Sequence, residues 1–106
     1  MILADFNIGN TNFYISSDNG CYFISKTHSK VVPIVPKEYA IIKLFSLNEN
    51  IILTKQEILT KIWGADYTEE SRIFSVILFH LRKKLVKTNI NITTVYTKGY
   101  KLTINK

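Results

Sequence analysis

The chain contains very little cysteine, since Cys21 is the only one among its 106 residues. A single thiol excludes an internal disulfide and any zinc site built from several cysteines. Cys21 begins the apolar run Cys21-Tyr22-Phe23-Ile24, and a free cysteine behaves in proteins as a small apolar residue that is usually buried. We therefore expect a buried structural thiol in a reducing cytosol.

Histidine, glycine-rich loops and long apolar runs are also scarce. His28 and His80 are too few for a histidine-rich metal site, and there is no Gly-rich phosphate loop and no Ser or Cys nucleophile elbow. We expect no metal, no cofactor and no enzymatic activity. No apolar run approaches the roughly 20 residues of a membrane-spanning helix, and Asp5 lies where a signal peptide would be basic. The sequence predicts one cytoplasmic domain without a membrane segment.

The first 35 residues predict a small antiparallel sheet. Extended segments lie at 6–8, 12–16, 21–25 and 31–35. Asn19-Gly20 falls between two runs of aromatic and β-branched residues, which is a strong hairpin signal. Pro33 places the last segment at a sheet edge or a strand end. We expect three or four short strands.

Residues 36–88 predict three helices, at about 37–47, 55–63 and 69–87. Pro36 suits the first helical position, where its missing N–H is no loss. Thr54 and Glu57 have the spacing of a capping box for the second helix, and Gly64 is typical of a helix end. Thr68 is a plausible N-cap for the third helix. Two strands, at 92–96 and 100–104, complete the chain as a hairpin.

The net charge of +6 lies entirely in the C-terminal third of the chain. Residues 69–106 contain eight basic and two acidic residues, whereas residues 1–68 contain six of each. The charge therefore falls on the third helix and on the predicted hairpin. A neutral scaffold that carries a basic helix and a basic hairpin is typical of a nucleic-acid binder. We expect double-stranded DNA as the partner.

The third helix has two different faces. An apolar stripe of Phe74, Leu78, Leu81 and Leu85 predicts the side that packs on the core. The opposite face carries Arg72, Ile73, Val76, Phe79, His80 and Lys83. Base edges are recognised mainly by hydrogen bonds, which suits the three polar residues. The three apolar residues leave three interpretations open: packing under neighbouring elements, contact with thymine methyl groups, or a protein interface.

Several short motifs occur in a specific order along the chain. They are Pro36-Lys37-Glu38-Tyr39, Thr54-Lys55-Gln56-Glu57-Ile58-Leu59, Ile62-Trp63-Gly64, Leu81-Arg82-Lys83-Lys84-Leu85, Thr94-Val95 and Gly99-Tyr100. Together they resemble the winged helix-turn-helix DNA-binding domain of the OmpR/PhoB class of bacterial transcription regulators. The resemblance implies an α+β fold in a single domain, 1–106, with an N-terminal sheet (1–35), three helices (36–88) and a hairpin wing (92–104).

The wing motif Thr94-Val95-Tyr96-Thr97-Lys98-Gly99-Tyr100 is more similar to the ToxR/CadC branch of that class. Its basic residue directly before Gly-Tyr is the feature shared with that branch. In the ToxR/CadC branch the DNA-binding domain is cytoplasmic, and a transmembrane helix and a periplasmic sensor usually follow. The sequence leaves open whether this chain is a lone domain or part of a longer membrane-anchored regulator.

The resemblance also implies roles for individual residues. Trp63, Arg72, Arg82 and Lys83 fall at or beside phosphate-contacting positions, and Thr94 and Lys98 fall in the wing. His80 takes a position that often holds a base-reading arginine, and Tyr96 replaces a minor-groove Arg or a Pro. Ile77 and Phe79 occupy positions that are usually polar, and they favour A·T-rich sites through methyl contacts. The candidate DNA-binding residues are Trp63, Arg72, Ile73, Val76, Ile77, Phe79, His80, Arg82, Lys83, Lys84, Thr94, Tyr96, Lys98 and Lys101.

The leading prediction is a sequence-specific DNA-binding transcription regulator. Its recognition helix, about 69–87, would enter the major groove, and its wing, 92–104, would contact the flanking groove. The alternative is a winged-helix module for protein–protein interaction or dimerisation, with reduced DNA reading. A second copy of the chain and RNA polymerase are further candidate partners.

Overall fold

The computed structural model describes residues 5–15, 20–26, 29–64 and 71–105. Residues 17–19 of the predicted hairpin turn at 17–20, the N-cap at Thr68 and the acidic pair Glu69 and Glu70 lie outside the described residues.

The N-terminal segments form four antiparallel strands, as predicted. They are β1 (Phe6–Ile8), β2 (Thr11–Ile15), β3 (Cys21–Ser25) and β4 (Val31–Ile34), paired in the order β1-β2-β3-β4. Pro33 lies on β4, which is an edge strand of the sheet. This agrees with the prediction, because proline has no N–H and cannot complete the hydrogen bonds that a central strand makes to both neighbours. Alternate residues of each strand point to the core. Among them, Phe13 of β2 and Phe23 of β3 are buried opposite each other, with ring centroids 5.4 Å apart.

Cys21 confirms the expectation of a structural thiol. It lies on the inner face of β3 and is only 7% exposed. Burial raises the pKa of this thiol, and the negative charge of Asp5 raises it further. Little reactive thiolate is therefore present near neutral pH.

The first two helices begin and end close to the predicted positions. α1 (Pro36–Ser46) starts with its proline, and the backbone N–H of Val35 donates to Glu38 Oε1 at 2.8 Å. α2 (Lys55–Trp63) has the predicted bounds. Its capping box is complete, because Thr54 Oγ1 accepts from the Glu57 N–H and Glu57 Oε1 accepts from the Thr54 N–H, both at 3.0 Å. Hydrogen bonding of the Glu57 carboxylate to the backbone and the side chain of Thr54 lowers the pKa of Glu57.

The third helix, α3 (Ser71–Lys84), ends three residues earlier than predicted. The N–H of Val86 bonds to the Lys83 carbonyl at 3.4 Å, one residue nearer than in a continuing α-helix. The hydroxyl of Thr88 then donates to the Leu85 carbonyl at 2.7 Å and accepts from the Ile90 N–H at 3.1 Å. Thr88 thus joins the end of α3 to the next strand, and the predicted end at residue 87 was wrong for this reason.

The C-terminal hairpin consists of β5 (Ile90–Val95) and β6 (Gly99–Ile104), and it is called the wing below. β5 starts two residues before its predicted start at 92. The residue that precedes the α2 cap also pairs with the wing: the Leu53 N–H donates to the Tyr100 carbonyl at 2.8 Å, and the Tyr100 N–H donates back at 2.9 Å. These bonds fix the wing against the start of α2.

One hydrophobic core joins the sheet, the helices and the wing. The predicted stripe of α3 is buried in it: Phe74 and Leu81 are fully buried, and Leu78 and Leu85 are at most 3% exposed. Leu102 from the wing and Ile41 from α1 are also fully buried. Across 5–15, 20–26, 29–64 and 71–105, no helix is long and apolar enough to cross a bilayer, and no three His, Cys, Asp or Glu residues lie together as potential metal ligands.

Candidate nucleic-acid interface

Burial of one side of α3 leaves its opposite side at the surface. This side, called the outer face below, carries the exposed residues Arg72, Ile73, Val76, Phe79, His80 and Lys83. Ile73 is 49% exposed, and Val76 and Phe79 are each 55% exposed. The exposure excludes the interpretation that these apolar residues pack under neighbouring elements. Contact with thymine methyl groups and contact with a protein both remain compatible with it.

Ile77 does not belong to the outer face. It is partly buried and packs against the core cluster. It lies about 40° from Ile73 around the helix, on the side of the core stripe. The expectation that Ile77 contacts bases stays a prediction, and Ile73 and Val76, which are also candidate DNA-binding residues, are the exposed aliphatic residues of the outer face.

Arg82 links α3 to the wing. Its Nε donates to the carbonyl of Ile92 at 2.9 Å, and its Nη2 donates to Thr94 Oγ1 at 2.8 Å. Its guanidinium carbon lies 5.8 Å from the ring centroid of Tyr100, a distance at which a cation is attracted to an aromatic face. Arg82 and Thr94 were both predicted as DNA contacts, and the structure brings them into contact with each other. Tyr100 was not predicted as a site residue.

The two lysines that follow Arg82 have different surroundings. Lys83 is exposed on the outer face, and its Nζ lies 4.7 Å from the ring centroid of Phe79. Lys84 turns the other way, and its Nζ lies 2.6 Å from Oε1 of Glu38, a carboxylate that is 1% exposed. Lys84 neutralises this buried charge, and its predicted contact with DNA stays a prediction. It is a structural residue between α3 and α1.

The tip of the wing is exposed. Tyr96 is 88% exposed, and Lys98 is exposed beside it. A groove of about 420 Å³ separates this tip from the start of α2 and is lined on the helix side by Lys55 and Gln56. Neither of these two was predicted, because the sequence contains no local signal that the wing folds back beside α2.

Lys101 stands apart from the other wing residues. It pairs with Thr93, whereas Thr94 pairs with Tyr100. Successive residues of a strand point to opposite faces. Since Arg82 contacts Thr94 and Tyr100 on one face of the wing, Lys101 lies on the face that points away from α3. The structure does not bring it together with the other predicted cations.

Trp63 occupies the end of α2, next to α3. Its ring lies edge-on to Phe74, with centroids 6.4 Å apart. Lys37 Nζ lies 5.2 Å from the Trp63 ring centroid and donates to the carbonyl of Ile62 at 3.3 Å. Lys37 therefore orients the Trp63 ring and satisfies a carbonyl at the end of α2. Lys37 belongs to the motif Pro36-Lys37-Glu38-Tyr39, but no role was predicted for it.

The comparison with protein families decides the class of this chain. The family described as "Transcriptional regulatory protein, C terminal" matches residues 29–102. The chain belongs to this family. The assignment confirms the predicted OmpR/PhoB-type class and the predicted function class of DNA-binding transcription regulator, and this family is not an enzyme class.

Similar proteins agree with the assignment. Response regulator SaeR of Staphylococcus aureus is 38% identical over 73 residues, which cover 66% of this chain and 32% of SaeR. The chain thus spans about a third of the length of this curated relative. The C-terminal domain of the nisin resistance regulator NsrR superposes with a TM-score of 0.71 at 24% identity, covering 94% of this chain and 98% of that domain.

A further solved structure is the DNA-binding domain of Klebsiella pneumoniae RstA in complex with the RstA box. Its TM-score is 0.68 at 20% identity, covering 92% of this chain and 95% of that domain. These superpositions confirm the predicted winged helix-turn-helix fold. The narrower ToxR/CadC branch stays a prediction.

Proposed function

We propose that this chain binds double-stranded promoter DNA, with α3 in the major groove and the wing on the flanking groove. The observation that carries the proposal is the position of three exposed cations. Arg72 and Lys83 lie on the outer face of α3, and Lys98 lies at the tip of the wing that Arg82 ties to α3. Cations spread over a helix and an adjacent hairpin match the phosphates on both sides of a groove. The RstA domain, which shares the fold, was solved with its DNA box.

The proposed contacts divide into two kinds. Lys83 and Lys98 contact phosphates, which supply affinity without sequence information. Arg72 and His80, exposed on the same helix face, are the hydrogen-bonding residues available for base edges. Trp63, which Lys37 positions, contacts the sugar-phosphate backbone of the DNA beside α2. Arg82 acts mainly by holding the wing in register with α3.

The location and the remainder of the protein are also proposals. DNA binding places this domain in the cytoplasm. A ToxR/CadC-type arrangement would attach it to a membrane-anchored sensor, and a receiver-type arrangement would join it to a phosphoacceptor domain. An antibody or tag on the chain, followed through membrane fractionation of cells, separates these two arrangements.

A salt titration tests the proposed DNA binding. Two to three neutralised phosphates predict that the logarithm of the association constant falls with the logarithm of salt at a slope of roughly −2 to −3. Lys83→Ala should flatten this slope by about one unit. Lys101→Ala removes the same charge from the opposite face of the wing and serves as the matched control, with a clearly smaller change. DNA affinity that is undetectable or independent of salt would contradict the proposal.

A second candidate function rests on the exposed apolar residues of the outer face. Three such side chains on one helix face are also typical of a protein interface, either with a second copy or with RNA polymerase. Sedimentation at increasing concentration tests self-association, and Phe79→Asp should abolish it. A strictly monomeric chain that fails to retain purified RNA polymerase would exclude this candidate.

A further inference from the structure

Ile73, Val76 and Phe79 form a regular apolar stripe along the outer face of α3. They follow one another at three-residue intervals, and each is about half exposed. Six residues of an α-helix rise about 9 Å, which matches roughly three base-pair steps at about 3.4 Å each. Single exposed apolar residues are ordinary on protein surfaces, whereas an aligned set indicates a contact surface.

The charge around the stripe favours one occupant. Arg72 and Lys83 lie beside it, and the Lys83 ammonium is 4.7 Å from the Phe79 ring. A second copy placed face to face would set these cations against their equivalents, in a chain whose net charge is already +6. Like charges across an interface are unfavourable. A polyanion has the complementary charge, so the stripe fits DNA better than it fits another copy of the chain.

The major groove offers one apolar group to such a stripe. Among the base edges exposed there, only thymine presents a methyl group, and aliphatic and aromatic side chains contact it. Arg72 and His80 can hydrogen-bond to bases, but Ile73, Val76 and Phe79 have no polar atom with which to do so. Their contribution to recognition therefore has to come from contact with methyl groups.

We propose that Ile73, Val76 and Phe79 recognise the C5 methyl groups of thymines on about three consecutive base pairs, so that the preferred ligand is an A·T-rich duplex. The proposal rests on the DNA-binding function proposed above. It selects one of the interpretations left open for the three apolar residues of the outer face, and it leaves out the partly buried Ile77.

Replacing thymine by uracil tests the proposal directly. Affinity is measured for a short duplex of mixed A·T order and for the same duplex with every thymine replaced by uracil. The replacement removes only the methyl group and keeps the phosphates and the hydrogen-bonding groups of the bases. Burial of one methyl group changes affinity about fourfold, so up to three contacts predict a preference for thymine between about fourfold and sixtyfold.

Protein variants assign the preference to the stripe. Val76→Ala and Phe79→Ala should each reduce the thymine-to-uracil ratio about fourfold. Lys98→Ala is the control, because this lysine lies at the tip of the wing and not beside the stripe, so that loss of its phosphate contact weakens both duplexes equally and leaves the ratio unchanged. Taking the ratio for each variant relative to the unmodified chain also cancels any difference in stiffness between the two duplexes.

The outcomes separate this proposal from the one it rests on. A ratio near one, with affinity that still depends on salt, overturns the methyl contacts while DNA binding stands. Failure to bind either duplex overturns DNA binding itself. Self-association that Phe79→Asp abolishes would identify the stripe as a contact between copies and would overturn its assignment to thymine. A ratio above fourfold that shrinks in the Val76 and Phe79 variants supports the proposal.

Discussion

Gly99, where the wing meets the segment before α2, is the residue whose replacement should be least tolerated. Its φ is +147°, in a region that L-residues rarely adopt. A Cβ at this position would overlap the carbonyl oxygen of Leu53 and would lie only 2.8 Å from the Leu53 carbonyl carbon and 2.9 Å from Thr54 Cα. Gly99→Ala therefore forces the wing away from the start of α2.

The expected loss of stability in Gly99→Ala follows from the interactions that the movement of the wing breaks. The movement breaks the two hydrogen bonds that join Leu53 and Tyr100, at 2.8 and 2.9 Å, each of which contributes about 0.5–1.5 kcal/mol. The unfavourable backbone conformation of alanine adds about 1–3 kcal/mol. Together we expect Gly99→Ala to lower the free energy of unfolding by about 2–6 kcal/mol. DNA affinity should fall as well, because the tip of the wing no longer lies beside α2.

Urea denaturation and DNA titration of the same preparations measure both effects. Lys98→Ala is the matched control, since it changes the neighbouring exposed side chain and leaves the backbone conformation allowed. We expect it to alter the free energy of unfolding by no more than about 0.5 kcal/mol, while flattening the salt slope of DNA binding by about one unit. A loss below about 1 kcal/mol for Gly99→Ala, smaller than either term alone would allow, would refute the argument from close approach.

Three further predictions concern stability. Arg82→Ala should lower the free energy of unfolding by about 1–2 kcal/mol through two lost hydrogen bonds, and Arg82→Lys should not restore it in urea denaturation, because an ammonium lacks the forked geometry. Lys84→Met should lower the free energy of unfolding by about 2–3 kcal/mol, because it removes the ion-pair partner of the buried Glu38 carboxylate while Lys84 itself is partly exposed. In a double-mutant cycle, adding Glu38→Gln should recover most of this loss. If no stability is recovered, Lys84 and Glu38 are not energetically coupled. Burial, with a hydrogen bond to the Asp5 carboxylate, raises the pKa of Tyr39 to about 12. The neutral phenol is therefore favoured in the folded chain, so its contribution is complete below about pH 10 and is lost between about pH 10 and 12; tyrosine absorbance during titration should show Tyr39 ionising last, and Tyr39→Phe should flatten the decline in stability.

The parts of the fold that depend on neighbouring residues were predictable from the sequence. α2 has its predicted bounds because its capping box, Thr54 and Glu57, consists of two residues three positions apart. The core stripe of α3 was predicted because helical periodicity is also local. The end of α3 was not, because it depends on a hydroxyl of Thr88 that bonds in two directions. No sequence pattern predicts that a threonine in a polar segment will make these two hydrogen bonds.

The site was less predictable, because its key contacts join distant parts of the chain. Lys84 is one of three adjacent basic residues, and nothing in that run distinguishes it from Lys83. Its partner Glu38 lies 46 residues earlier and is buried. Lys101 could be assigned to a face only once its pairing with Thr93 was known. The number of charged residues is known from the sequence, but which of them are available to bind a ligand depends on how the side chains pack in the fold.

This sorting of charges changes the expected balance between affinity and specificity. The +6 in residues 69–106 suggests strong, sequence-independent attraction to phosphate. Among the predicted DNA-binding cations, Lys84 is neutralised by Glu38, Lys101 points away, and Arg82 is engaged with the wing, which leaves Arg72, Lys83 and Lys98 exposed at the proposed interface. A smaller contribution from phosphate contacts makes non-specific DNA binding weaker. Each base contact then accounts for a larger share of the total binding free energy. The apolar stripe beside Lys83 is the largest group of exposed side chains left to supply that share, which is why its preference for thymine should be measurable even without a known operator.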